Sequence, residues 1–299
     1  MGVCLSVDIG GSKVIAGLIS DAGEVLSAVH RRFPQRYDRE SLLSSIGELA
    51  GQLDLHGVTF GGVTVPGLAD PEKGLWLSSP FTGISEWDIA GDLQSVLGIP
   101  FFAENDVNAC AVAERRFGLC KNTPDFLWLT MSNGVGGAVF LNGNLLRGRN
   151  LGAGEVGHIV VEEDGPLCCC GNRGCLEAIA SGRGISASYL KYTGKTKTAQ
   201  EIAKLAQAGE PAAKAAYDRA AKGIGKAISY AANLMNIETF IFGGGVAQSM
   251  HLLAPGAKAQ AEKSVLRTAT KEIRIEYTGL GYYAALVGGA AIAMESMGI

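Results

Sequence analysis

The chain lacks the features that mark membrane, secreted and nucleic-acid-binding proteins. No apolar run approaches the roughly 18 residues a membrane helix needs. The opening MGVCLSVDIGG meets a glycine turn after a short apolar run, without the charged start and longer apolar stretch of a secretory leader. Neither sign of charge dominates: 26 Lys and Arg stand against 29 Asp and Glu, for a net charge of −3. The basic residues are scattered, which excludes the electrostatic footprint of a nucleic-acid partner. Low-complexity segments and flexible tethers are missing too. These absences predict a cytoplasmic protein with a small-molecule partner and no membrane contact. Its thiols would stay reduced, and clustered cysteines there mean metal or catalysis more often than disulfides.

What is present is length, glycine and a repeat. At 299 residues the chain exceeds one ordinary core, and 42 glycines make any single Gly pair a weak signal. Val3 to Asp8 reads as a strand, GGSK as a turn, Val14 to Ile19 as a strand, DAG as a hairpin and Glu24 to Val29 as a third strand. The same order returns later. Phe126 to Met131 is a strand, SNGVGG a turn, Gly137 to Leu141 a strand, NG a hairpin turn and Asn144 to Arg147 a third strand. A repeat of domain size predicts a two-lobed α/β protein with a cleft. The division expected is 1–120 and 121–299, with a final helix near 284–299 able to pack back on the first part. Further helices are read at Arg39 to Gln52, Ile89 to Leu97, Leu176 to Ser181, Thr198 to Ala206 and Pro211 to Met235. Strands are read at Val58 to Val65, Pro100 to Ala103 and Thr239 to Phe242.

Five motifs carry chemistry. In VDIGGSK, Asp8 ends a strand and Gly10, Gly11, Ser12 and Lys13 follow. Backbone N–H groups of such a turn can approach phosphate oxygens, and Asp8 could hold Mg2+ through water. SNGVGG, with Asn133, Gly134 and Gly136, offers a second turn of that kind, so the pair suits the phosphates of a nucleotide. FGGGVAQS adds Gly244 and Gly245, where a base could lie on the backbone, although close packing would equally call for glycine. AENDVN places Glu104, Asn105, Asp106 and Asn108 where a buried strand becomes a helix, the end at which α/β proteins bind ligands. Asn and Asp are also favoured helix caps, but a cap needs only one of them.

The fifth motif is GHIVVEEDGPLCCCGNRGCLE. Cys168, Cys170 and Cys175 with His158 have the donor types and spacing of a closed, structural zinc site, with Cys169 pointing away. Reduced core cysteines are the other reading; a redox pair fits poorly because the spacing is not C-x-x-C. A loop pinned by metal would also fix Glu155 and Glu177 as a hydroxyl-binding surface.

Together these motifs resemble the ROK family of bacterial sugar kinases and sugar-responsive repressors. The likeness runs through DIGGSK, Pro66-Gly67, ENDVNA, SNGVGG, GEVGH, CCCGNRGCLEAIASG and FGGGV in order. It implies the sugar kinase/Hsp70/actin (ribonuclease H-like) fold, with ATP, Mg2+ and structural zinc as cofactors and a homodimer as the assembly. It further implies Asp106 as general base and Gly67, Asn105, Glu155, His158 and Glu177 as sugar contacts, His158 serving sugar and zinc through different ring nitrogens. The activity implied is ATP-dependent phosphorylation of a hexose, with glucose and N-acetylmannosamine as leading candidates. A non-catalytic sugar sensor or transcriptional regulator is the alternative. The repressor branch places a DNA-binding element ahead of the first phosphate motif, and the few residues before Asp8 leave no room for one. Three departures are visible: Ser12 for the usual Thr, Asn133 for Thr, and Phe81 where many hexose kinases carry a sugar-binding Asn.

Overall fold

A computed structural model describes residues 2–33, 37–79 and 82–299. The chain begins with three antiparallel strands, β1 (Val3–Ile9), β2 (Lys13–Ser20) and β3 (Val25–Arg32). Helix α1 (Arg39–Ala50) starts at a capping box built by Asp38 and Ser41. Strand β4 (Gly61–Val65) is buried throughout. A small sheet of β5 (Leu68–Asp70), β6 (Leu75–Ser78) and β7 (Ser85–Asp88) follows. Then come α2 (Ile89–Leu97), β8 (Phe101–Asn105) and α3 (Asp106–Arg116). The second series opens with β9 (Phe126–Met131), β10 (Val135–Leu141) and β11 (Asn144–Leu145). Four helices succeed them: α4 (Leu176–Ala180), α5 (Gly182–Thr193), α6 (Ala199–Gln207) and α7 (Pro211–Met235). Strand β12 (Thr239–Gly243), α8 (Met250–Glu262), β13 (Arg274–Tyr277) and α9 (Ala284–Ser296) complete the chain.

These elements form two compact units. The first holds Met1–Thr123, Arg147–Ala153 and Leu280–Ile299, the second Pro124–Leu146 and Gly154–Gly279. Each has a five-stranded mixed sheet, ordered β3-β2-β1-β4-β8 and β11-β10-β9-β12-β13. In each, the opening strand pairs antiparallel with the next and parallel with a strand reached by a crossover. The repeat read from the sequence is thus a duplicated sheet. Simple division near residue 120 misses one feature: Arg147–Ala153 leaves the second unit's sequence to join the first.

Each unit buries its own apolar cluster. In the first, Leu5, Val7, Val63 and Val65 of the sheet meet Leu42 and Ile46 of α1, and Trp76 stacks on Trp87 at 5.8 Å. In the second, Leu127, Leu129, Phe240 and Phe242 meet Ala220, Ile224 and Ile228 of α7. Helix α9 is apolar on every side and buried from Leu286 to Met294. Glycine lets it approach so closely: a Cβ on Gly62 would lie 1.9 Å from the Gly289 carbonyl oxygen.

Two segments differ from what their sequence suggests. SNGVGG is not all turn, because Val135, Gly136 and Gly137 belong to β10 and only Ser132–Gly134 turn. The strand needs glycine there: a Cβ on Gly137 would lie 2.8 Å from the Gly154 carbonyl oxygen. Strand β4 also begins later than Val58, at Gly61.

Candidate functional site

In the first unit the turn after β1 is exposed at Gly11 and Ser12 and closed by Gly10 N–H donating to the Lys13 carbonyl, 2.8 Å. Tyr37 Oη donates to the Gly10 carbonyl, 2.8 Å. A Cβ on Gly11 would meet no atom within 4 Å, so protein packing does not dictate that glycine. The Lys13 ammonium donates to Tyr282 Oη at 2.6 Å. Behind the turn, Asp8 Oδ1 accepts from Thr64 Oγ1, 2.9 Å. Burial holds the Asp8 carboxyl above its usual range, against the opposing pulls of the Thr64 bond and the Lys13 charge.

The ENDVN segment divides its labour. Asn105, rather than Asp106, caps α3, its Oδ1 accepting from Val107 and Asn108 N–H at 2.9 Å each. Asn105 Nδ2 donates to the Gly67 carbonyl, 2.8 Å, and to Asp106 Oδ1, 3.0 Å. Both donors and both acceptor sites of this amide are therefore engaged within the protein. Gly67 has φ +90 and packs where a Cβ would lie 2.2 Å from the Ser78 carbonyl oxygen. Glu104 is 1% exposed and pairs with Arg147 at 2.8 and 3.0 Å, while its other oxygen accepts from Asn108 Nδ2 and Asn105 N–H. Of the four polar residues, Glu104 and Asn108 therefore brace the strand–helix junction. Asp106 is half-buried and accepts on Oδ1 from Asn105 and from Val107 N–H, 3.0 Å each. Burial first, and the charge of Asp8 second, push its carboxyl up to about 7. A carboxylate poised there can take a proton from a hydroxyl near neutral pH.

In the second unit, Ser132 and Asn133 of the turn line a cavity of 840 Å³ together with Arg183, Lys204, Gly245, Gln248 and His251. A volume of that order suits a nucleotide-sized ligand. The three glycines at the end of β12 differ in cause. A Cβ on Gly243 would lie 2.5 Å from the Trp128 ring, and Gly244 has φ +91 and sits against the Met131 carbonyl. Gly245 alone of the three would meet no atom within 4 Å.

GEVGH lies flat on β10, since a Cβ on Gly154 or Gly157 would meet the carbonyl of Gly137 or Val135 at 2.5 or 2.0 Å. Glu155 lies between these two close approaches and His158 directly follows the second. His158 Nδ1 lies 3.7 Å from Cys168 Sγ, and Nε2 lies 3.9 Å from Glu155 Oε2. Cys170 and Cys175 sulfurs are 3.6 Å apart, and the donor atoms of His158, Cys168, Cys170 and Cys175 all fall within 4.8 Å of one another. A tetrahedral zinc with bonds of about 2.3 Å to sulfur requires edges of about 3.8 Å, so the donor set and its spacing fit that ion. A hydrogen bond from the Asn172 backbone draws the Cys170 thiol down to about 7, while burial lifts Cys175 to about 12. Cys169 stands outside this set and donates to Glu177 Oε1, 3.1 Å. Glu177 Oε2 accepts from Val135 N–H, 3.0 Å.

Several residues escaped the sequence reading: Thr64 beneath Asp8, Arg147 on Glu104, Tyr282 on Lys13, and the polar lining of the cavity at Arg183, Lys204, Gln248 and His251. Thr64, Arg147 and Tyr282 are distant in sequence from the groups they serve, whereas Gln248 lies within FGGGVAQS and Arg183 directly after the cysteine segment, where nothing local marks them as cavity lining. Phe81 lies outside the described residues.

The duplicated sheet is that of the ribonuclease H-like, actin/Hsp70-type fold seen in ROK sugar kinases. The ROK family model matches residues 4–296, and the chain belongs to that family. It is 29% identical to a glucokinase of Thermotoga maritima, over 98% of both chains. It is 26% identical to the DNA-binding transcriptional dual regulator NagC of Escherichia coli, over 98% of this chain and 75% of that protein. A ROK family glucokinase of Streptomyces griseus, solved with glucose and AMPPNP, superposes with a TM-score of 0.84 at 27% identity, over 98% of this chain and 100% of the other.

Proposed function

We propose that the protein is an ATP-dependent sugar kinase that transfers the γ-phosphoryl group to a primary hydroxyl of a hexose, O6 of glucose or of N-acetylmannosamine. The observation that carries this reading is Asp106, a carboxylate at a helix start whose affinity for protons is raised to about 7 by burial and by Asp8. In the step proposed, the sugar hydroxyl attacks the γ-phosphorus, its proton passes to Asp106, and ADP leaves. Asn105 orients Asp106 through Oδ1 and holds Gly67 beside it. Glu155, His158 and Glu177 accept or exchange hydrogen bonds with the ring hydroxyls.

The two glycine turns carry the nucleotide phosphates, with Gly10, Gly11, Ser12 and Lys13 in one and Asn133 and Gly134 in the other; Gly136 backs the second from β10. The base and ribose would enter the cavity lined by Gly245, with Gly244 shaping the strand end next to it. Asp8 would hold Mg2+ through water, and the ion supplies charge neutralisation at the phosphates. His158, Cys168, Cys170 and Cys175 would hold zinc with no position left open, a structural rather than a hydrolytic arrangement.

The similarity to NagC favours a second reading, a sugar-responsive regulator without turnover. Coupled measurement of ADP release with Mg-ATP separates the two across glucose, mannose, N-acetylglucosamine, N-acetylmannosamine, fructose and allose. The kinase reading expects sugar-dependent ADP release with at least one hexose. Sugar binding without ADP release for any of them would establish the regulator reading instead.

A further inference from the structure

Glu177 does more in the second unit than present a carboxylate. It lies in α4, two residues after Cys175, and is 9% exposed. Both of its oxygens are committed to the protein. Oε2 accepts from Val135 N–H, the first residue after the second glycine turn, and Oε1 accepts from Cys169. The carboxylate also explains Gly134, because a Cβ there would lie 2.5 Å from Oε2.

The bond to Val135 is one of three that fix the turn from the same side. Gly182 N–H donates to the Ser132 carbonyl, 2.8 Å, and Arg183 Nε donates to the Asn133 carbonyl, 2.8 Å. Arg183 also stands 3.8 Å from Glu177 Oε1, where its charge offsets the buried carboxylate. The turn's backbone is thus determined by residues 177–183, and on the far side Glu177 is held by the cysteine loop. A buried charge-assisted bond is strong and directional, and removing its acceptor leaves the Val135 N–H without a partner.

We propose that Glu177 is the positioning residue of the second glycine turn, and that the Cys169–Glu177 bond makes nucleotide affinity depend on the cysteine loop. The inference rests on the reading that this turn carries nucleotide phosphates. It assigns Glu177 a second role beside any sugar contact, and gives Cys169 a role although it stands outside the four-donor cluster. Gly134 becomes a residue whose enlargement acts on Glu177 rather than on the ligand directly.

Two measurements test it. One is amide hydrogen exchange of residues 132–135 in ligand-free protein, and the other is the affinity for Mg-ADP without sugar. Glu177→Ala should speed exchange in the turn and weaken Mg-ADP about tenfold, the cost of one orphaned buried donor. Glu177→Gln should stay within about threefold of wild type, because its amide oxygen still accepts from Val135 while its amino group faces the sulfur. Gly134→Ala should reproduce the Glu177→Ala exchange pattern. Cys169→Ala, at an exposed position, should weaken Mg-ADP by about two- to threefold and Cys169→Ser should restore it, as expected for a weak thiol donor replaced by a hydroxyl. Unchanged exchange of 132–135 in Glu177→Ala overturns the positioning role. Faster exchange in a protein whose wild type binds no Mg-ADP supports Glu177's hold on the turn but overturns the nucleotide coupling and the functional reading beneath it.

Discussion

The two glycine turns occupy the same place in two copies of one sheet, yet they are built for different work. After β1, Ile9 pairs with Val14 across Gly10–Lys13; after β9, Met131 pairs with Val135 across Ser132–Gly134. The strand residue before the end of each pair differs in kind. Asp8 in the first copy is a carboxylate raised by burial, whereas Thr130 in the second accepts a hydrogen bond from Trp128 Nε1, 2.8 Å. The bracing differs as well. Tyr37 and Tyr282 steady the first turn, one bonded to the Gly10 carbonyl and the other to the Lys13 ammonium, while Glu177, Gly182 and Arg183 steady the second. Duplication supplied the backbone twice. The first copy sets the raised carboxyls of Asp8 and Asp106, the proposed base, near its turn, whereas the second sets the Glu177–Arg183 pair and the cluster of His158, Cys168, Cys170 and Cys175 near its own.

That division is broken most severely at Asp106. Replacement by Asn keeps the hydrogen bonds of the α3 start but removes the proton acceptor, and kcat should fall about 10²–10⁴-fold. Sugar affinity measured by calorimetry should change far less. A variant retaining more than about a tenth of wild-type turnover removes the base from the first unit and undoes the comparison.

Next in size is the loss of metal from the second unit. Cys170→Ser should abolish bound zinc, measured by atomic absorption on purified protein, whereas Cys169→Ser should leave one ion per chain, because only Cys170 has its sulfur in the four-donor cluster. Equal loss from both variants would show the wrong donor set. Alanine at two glycines gives the smallest effect and sharpens the contrast between packing and binding. Gly244→Ala forces a side chain into φ +91 against the Met131 carbonyl and should cost about 1–3 kcal/mol of stability in denaturant unfolding. Gly11→Ala faces open space, so stability should stay within about 0.5 kcal/mol while Mg-ATP affinity falls. Destabilisation by Gly11→Ala equal to that of Gly244→Ala would mean packing, not a ligand, dictates the first turn.

The repeat was legible because it is written in local patterns: β-branched and aromatic runs, glycine turns and two-residue hairpins. Helix α7 was readable from Pro211 to Met235, since Pro opens it and its small apolar residues keep one period. Other elements carried weaker signals. Strands β5, β6 and β7 have only three or four residues each, inside a stretch rich in turn formers. Pro255 sits inside α8 and reads as a breaker. In the site, the residue types in ENDVN were visible but not their partition. Glu104 is spoken for by Arg147, which lies 43 residues away, and no local pattern announces so distant a pair. Likewise the sequence placed Glu177 near the cysteines, while its bond to Val135 appears only once the sheet brings β10 beside α4.

In the proposed reaction Asp106 acts as a base whose proton affinity is raised by burial and by Asp8. A raised carboxyl is protonated, and so inactive as an acceptor, below its folded value, and ionised above it. With the sugar identified by ADP release, kcat/KM measured from about pH 5.5 to about pH 8.5 should therefore rise roughly tenfold per unit at the acid end and level off above about 7. A profile flat across that range, or one that breaks only near 4 where an unperturbed aspartate titrates, would contradict the account.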